Sequence, residues 1–113
     1  MNLTEKELEI MDVLWENKVP MTAVEMINKG KGTKSWSNRS IYTFLQYLEK
    51  KGAIRIARTC PINERYGKAY EPTVSLPEYI VETAAGINRK RSPAIRISAD
   101  ECIKLVKDMW DDE

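Results

Sequence analysis

The stretch Ser37-Asn38-Arg39-Ser40-Ile41-Tyr42-Thr43-Phe44-Leu45-Gln46-Tyr47-Leu48-Glu49-Lys50-Lys51-Gly52 decides how this chain is read. Ser37 is suited to N-cap a helix, its hydroxyl accepting an amide that the helix start leaves unpaired, and Gly52 is suited to the left-handed residue past the end. The spacing predicts a helix over Ser37–Lys51. Trp36, just before the cap, is placed to pack on Ile41 as a hydrophobic staple that fixes how the chain enters the helix. At about 100° per residue, Thr43, Gln46 and Lys50 lie within roughly 40° of Arg39 and Tyr42 within about 60°, whereas Ile41, Phe44, Leu45 and Leu48 take the opposite side. One face is therefore a core face. The other holds no acid before Glu49, where an ordinary solvated face would mix Glu with Lys.

Charge along the chain sharpens that contrast. The whole sequence of 113 residues carries a formal net charge of only +1. Residues 1–28 hold two bases against six acids, residues 29–70 ten bases against Glu49 and Glu64, and residues 71–113 six bases against nine acids. The middle third is thus a cationic block built around the quoted helix. No histidine is present, which excludes imidazole acid-base catalysis, Ser-His triads and His-ligated metals. Cys60 and Cys102 stand far apart, with no Cys-x-x-Cys pair, so neither a zinc site nor a disulfide framework is indicated. No paired carboxylates, phosphate-cradling glycine loop or nucleophile-base pair is visible, and neither enzymatic activity nor a cofactor is expected. The first residues do not form a secretory leader and no apolar run approaches ~18 residues, which leads us to expect a cytoplasmic protein with no membrane partner.

Outward from the central helix, local signals repeat. Thr4-Glu5-Lys6-Glu7 and Thr22-Ala23-Val24-Glu25 are capping boxes, in which a cap hydroxyl and a carboxylate three residues on each satisfy one orphan amide. They open two earlier helices. Leu8, Ile10, Met11, Leu14 and Trp15 form the apolar arc of the first, and Ala23, Val24 and Ile27 are expected to face inward on the second. Val19-Pro20-Met21 reads as an extended link between them. After Gly52 the pattern alternates over Ile54-Arg55-Ile56-Ala57, as in a half-buried strand, and Lys68–Glu71 is placed as its partner, with Thr59–Gly67 a long turn-rich tip. Ser75-Leu76-Pro77-Glu78 and Ser98-Ala99-Asp100-Glu101 then start two further helices. The basic run Arg89-Lys90-Arg91 separates them.

Three helices followed by a hairpin is the winged helix-turn-helix layout, in which the third helix enters the major groove of DNA. The fold class expected is mainly α with a small β hairpin, a winged helix-turn-helix domain over residues 1–74 followed by C-terminal dimerisation helices over 75–113. On the third helix Arg39 is suited to guanine, Gln46 to adenine, and Thr43 to a hydrogen bond or a thymine methyl. Ser37 and Asn38 sit where helix amides favour phosphate. Tyr42, Lys50 and Thr22 complete the expected DNA-facing set, with Arg55, Arg58, Arg65 and Lys68 of the wing meeting the sugar-phosphate backbone.

Several pieces together resemble the penicillinase-repressor family of winged-helix regulators, the BlaI/MecI/CopY group. They are Leu3-Thr4-x-x-Glu7-x-x-Ile10-Met11-x-x-Leu14-Trp15, Met21-Thr22-Ala23 with Glu25-Met26, Ser40-Ile41-Tyr42-Thr43-Phe44-Leu45-x-x-Leu48-x-Lys50-Lys51-Gly52, and Tyr70-Glu71-Pro72-x-Val74-Ser75 before Glu78-Tyr79. The resemblance covers Leu3–Tyr79. It implies a homodimeric repressor on a near-palindromic operator, adds Ser40 to Thr43 among the recognition contacts, and makes Leu76 onward the dimer segment. Two features depart from the pattern: the wing tip Thr59–Gly67 is longer than the family's usual turn, and the C-terminal part is abbreviated and broken by Arg89-Lys90-Arg91. The Cys-x-Cys motifs of the copper-responsive members are absent, so copper sensing is not implied.

A chain this small gains from dimerising, and Ile80, Val81, Ala84, Cys102, Val106, Met109 and Trp110 form the expected interface. A winged helix that docks protein through that stripe, or a DNA-binding accessory factor that does not repress, are the alternative readings. Salt dependence of DNA binding separates the first of these.

Overall fold

The computed structural model describes residues 1–30, 36–62 and 65–110, with backbone alone for 60–62, 65 and 66. The first helix, α1 (Glu5–Asn17), starts at the Thr4 capping box: Thr4 N donates to Glu7 Oε1 at 2.7 Å and Glu7 N to Thr4 Oγ1 at 3.3 Å. It ends at Lys18, a non-glycine residue at φ 61°. Next comes a strand of two residues, β1 (Met21–Thr22), leading straight into α2 (Ala23–Gly30) through the reciprocal Thr22 and Glu25 cap. Of the extended link expected at Val19–Met21, Val19 is a bend and Met21 is strand, the latter having recruited a sheet partner.

The third helix, α3 (Ser40–Lys51), begins three residues later than the sequence predicts. Ser37 still organises the start. Its hydroxyl accepts the Ser40 amide at 3.1 Å and its carbonyl accepts the Ile41 amide at 3.2 Å, while Asn38 and Arg39 form a turn ahead of the helix. Gly52 closes α3 in the left-handed conformation, φ 81°, and the amides of Gly52 and Ala53 cover the carbonyls of Glu49 and Leu48. A side chain there would strain the backbone, which is why glycine stands at this position.

The wing is longer and more regular than read. Strand β2 (Ile54–Ile62) and strand β3 (Arg65–Pro72) pair antiparallel, and β1 adds to the other edge of β3, giving the order β1-β3-β2. The ladder continues through Cys60 opposite Gly67 and Ile62 opposite Arg65, so the described part of the expected loose tip is paired strand, its Pro61 tolerated because β2 is an edge strand, while the turn expected at Asn63 and Glu64 lies outside the described residues. The register slips between Ile56, opposite Tyr70, and Arg58, opposite Ala69, leaving a bulge at Ala57.

The core lies where α1, α2 and α3 meet the sheet. Ile10, Met11, Leu14, Met26, Ile41, Leu45 and Leu48 are fully buried, with Trp36 in the same cluster as Ile41. On α2 Ala23 and Met26 are buried and Ile27 packs against the core, whereas Val24, expected inside, is exposed. At about 160° from Met26 around the helix, it falls on the side away from the core. Trp15 is partly buried, its indole N–H donating to the Val74 carbonyl at 2.9 Å with its ring 6.0 Å from that of Tyr79.

Two helices complete the chain, α4 (Leu76–Arg89) and α5 (Ala99–Trp110). Each starts at the cap read from the sequence, with Ser75 paired to Glu78 and Ser98 to Glu101. The chain divides into two compact units, Met1–Tyr79 and Ile80–Glu113. Within the second, no described residue of α4 or α5 is buried.

Candidate nucleic-acid interface

The core face of α3 fixes what its opposite face presents. Because Ile41, Leu45 and Leu48 are buried, Arg39, Tyr42, Thr43, Gln46 and Lys50 are turned together to solvent. Tyr47 joins them, half exposed, one helical turn beyond Thr43. It is not among the DNA-facing residues expected from the sequence, although its angle of about 80° from Arg39 places it on the same arc. Ser40 is partly covered, its hydroxyl 2.7 Å from that of Ser37, and Asn38 is exposed beside them. Glu49 is the sole acid on α3.

Thr22 is placed differently. It is buried, and its hydroxyl already accepts the Glu25 amide at 3.2 Å. The Glu25 carboxyl, hydrogen-bonded by Thr22 and lying near the Arg58 cation, is held below the ordinary carboxylate range.

Strand alternation sorts the wing bases onto two faces. Lys68 lies two residues from Tyr70 and so on the same face. The Tyr70 hydroxyl is pushed to a higher pKa, mainly by burial and then by the nearby Glu49 and Tyr42 of α3, so this is the face toward α3. Arg55 and Arg58 take the other face: three positions apart, they would alternate in a regular strand, but the bulge at Ala57 puts them opposite Glu71 and Ala69, which share one face. There Arg55 Nε meets Glu71 Oε2 at 2.5 Å, on the rim of an open groove of about 410 Å³ that also includes Trp15, Val19 and Val74. Arg65 falls among the residues whose side chains lie outside the described set.

In the second unit, Val81, Met109 and Trp110 are strongly exposed, Ile80 and Val106 less so, Ala84 is exposed, and Cys102 is half-buried as a free thiol. Among the described residues no group of His, Cys, Asp or Glu is arranged to hold a metal ion, and no helix is long and apolar enough to cross a membrane.

A helical core whose third helix turns an uncovered polar face outward, flanked by a β hairpin, defines the winged helix-turn-helix class. The family model described as Penicillinase repressor matches residues 3–92, and the chain belongs to that family. The penicillinase repressor of Bacillus licheniformis is 30% identical over 90 residues, which are 77% of this chain and 64% of that protein; the chain thus spans just under two thirds of that relative's length. A solved structure of the same organism's BlaI, in monomeric form in complex with the blaP half-operator, aligns with a TM-score of 0.51 and 28% identity, covering 70% of this chain and 89% of that one. The iron-containing ferric uptake regulator of Francisella tularensis aligns with a TM-score of 0.50 over 64% of this chain and 53% of its own, and at 20% identity it shares the fold alone.

Proposed function

We propose that this chain is a sequence-specific, DNA-binding transcriptional repressor of the cytoplasm that occupies a near-palindromic operator as a homodimer. One observation carries the reading: α3 turns Arg39, Tyr42, Thr43, Gln46, Tyr47 and Lys50 outward together, with one acid, Glu49, beside them. Its supports are membership of the penicillinase repressor family and the likeness to a BlaI bound to a half-operator. In this reading α3 enters the major groove, Arg39 and Gln46 read base edges, and Lys50, Lys68, Ser37 and Asn38 hold phosphates. Thr22 acts through the α2 cap. Occupancy of a promoter by the dimer blocks transcription, and no catalytic step is involved.

The test is a salt series on a duplex that the protein itself selects from random-sequence DNA. Affinity should fall steeply between low and moderate salt as counterions are released. Arg39→Ala should cost roughly 1 to 3 kcal/mol and relax preference at one base position. Failure to bind any duplex at low salt would overturn the reading and favour a protein-docking module.

A further inference from the structure

The connection between α4 and α5 is built as a rigid basic corner. Asn88 clamps the far side of it, its amide donating to the Ile97 carbonyl and its side-chain oxygen accepting the Ile97 amide, both at 3.0 Å. Arg96 closes the near side. Its Nε donates to the Arg91 carbonyl and its Nη2 to the Arg89 carbonyl, each at 2.8 Å. A helix ends with unpaired carbonyls and partial negative charge; here a guanidinium covers that end. Arg89, Lys90 and Arg91 are all exposed, and among the described residues no carboxylate is ion-paired with any of them. The one acid close in sequence beyond Arg96 that has a described partner, Glu101, is turned back to cap Ser98. Four cations are thereby gathered within eight residues, three of them free to meet an anion while the fourth removes the helix end that would repel it.

We propose that this corner is a second, sequence-independent docking site for the phosphate backbone of duplex DNA beyond the operator itself. The inference rests on the DNA-binding reading of α3. Charge complementarity selects the occupant: exposed Arg and Lys side chains suit a line of phosphates, which carries no base sequence. The corner adds affinity and not specificity.

Two duplexes test it, one trimmed to the stretch that the protein protects and one extended by about ten base pairs of random sequence on each side. The unmodified protein should bind the extended duplex more tightly and with a steeper dependence on salt. With Arg89→Gln, Lys90→Gln and Arg91→Gln combined, the slope of log affinity against log salt on the extended duplex should become shallower by roughly two to three, at ~0.9 per phosphate. Binding to the trimmed duplex should not change, which also shows that the triple variant is folded and assembled. Equal binding of the two duplexes by the unmodified protein overturns the proposal while leaving the role of α3 intact; no binding to either overturns both. An unchanged slope for the triple variant, accompanied by lost binding to poly-glutamate, would assign the corner to an acidic protein instead.

Discussion

Lys51, in the last turn of α3, places its ammonium 2.6 Å from Oε1 of Glu7, the residue that caps α1, and also donates to the Asn2 carbonyl at 2.9 Å. The pair spans 44 positions of sequence and ties the end of α3 to the start of α1. Glu7 keeps only 1% of its surface in water. Burial alone would raise its pKa, yet the hydrogen bonds from Lys51 and Thr4 outweigh it and hold the carboxyl below the ordinary range.

Removing the cation should therefore hurt more than an exposed pair would. Lys51→Met leaves Glu7 buried without its counter-charge. A fully buried pair broken on one side costs about 3 to 5 kcal/mol, and a Lys side chain that is still 35% exposed brings the expectation down to about 2 kcal/mol. Urea unfolding at neutral pH measures it; a loss under about half a kcal/mol would show that the pair is not coupled to stability.

The same pair sets a dependence on acid. A carboxyl with a depressed folded pKa contributes stability that is fully present above its unfolded pKa and disappears as pH falls through the folded one. Glu25 and Glu78 are depressed too, in each case chiefly by the capping hydrogen bonds, and act in the same direction. Stability should decline from about pH 5 downward, and Glu7→Gln should flatten that decline while lowering stability at neutral pH. Unfolding midpoints recorded across the acid range for both proteins check the sign.

Thr22→Ala separates positioning from contact. The hydroxyl is committed to the Glu25 amide within a buried cap, so its loss should cost about 1 kcal/mol of stability. Base preference should be unaltered. A variant with normal stability but a changed selected sequence would instead make Thr22 a direct reader.

What the sequence made legible was local. The capping pairs at Thr4, Thr22, Ser75 and Ser98 all form at the helix starts expected, because each needs only two side chains three residues apart. The faces of α3 follow from its own periodicity, and most of the candidate recognition residues with them. The features that were not legible join distant segments. Strand β1 exists only because Met21 and Thr22 find Tyr70 and Ala69. Thr59–Ile62 and Arg65–Gly67, rich in turn formers, are held as ladder by pairing with each other, and the bulge that puts Arg58 on the Arg55 face depends on a register that no local pattern encodes. Burial of Thr22 has the same origin.

Wing geometry gives a prediction of its own. Lys68 shares the α3-side face with Tyr70, whereas Arg55 lies on the other face against Glu71. Lys68→Gln should weaken binding about equally on all sequences and reduce the salt slope by roughly one. Arg55→Gln should leave the slope nearly unchanged. The reverse order in a side-by-side salt titration would place the opposite face of the wing on DNA.

The second unit supplies the last prediction. Ten large apolar side chains between Ile80 and Trp110 are exposed, from Ile80 at 38% to Met109 at 75%. No described residue of α4 or α5 is buried, so this apolar surface stays hydrated, and covering it would contribute about 25 cal/mol per Å². A second copy presenting the same stripe is the simplest cover, because a two-fold interface matches a surface to itself. Trp110, 62% exposed at the end of α5, is the largest anchor available. Sedimentation should find a dimer at micromolar concentration, and Trp110→Ala should weaken it by roughly 30-fold, the effect of a hot-spot residue worth about 2 kcal/mol. Its indole emission should move to shorter wavelength as concentration rises through the dimerisation range. If sedimentation gave a monomer throughout, with the Trp110→Ala variant indistinguishable, a different protein would have to cover the stripe, and the two half-sites of a near-palindrome would be filled independently.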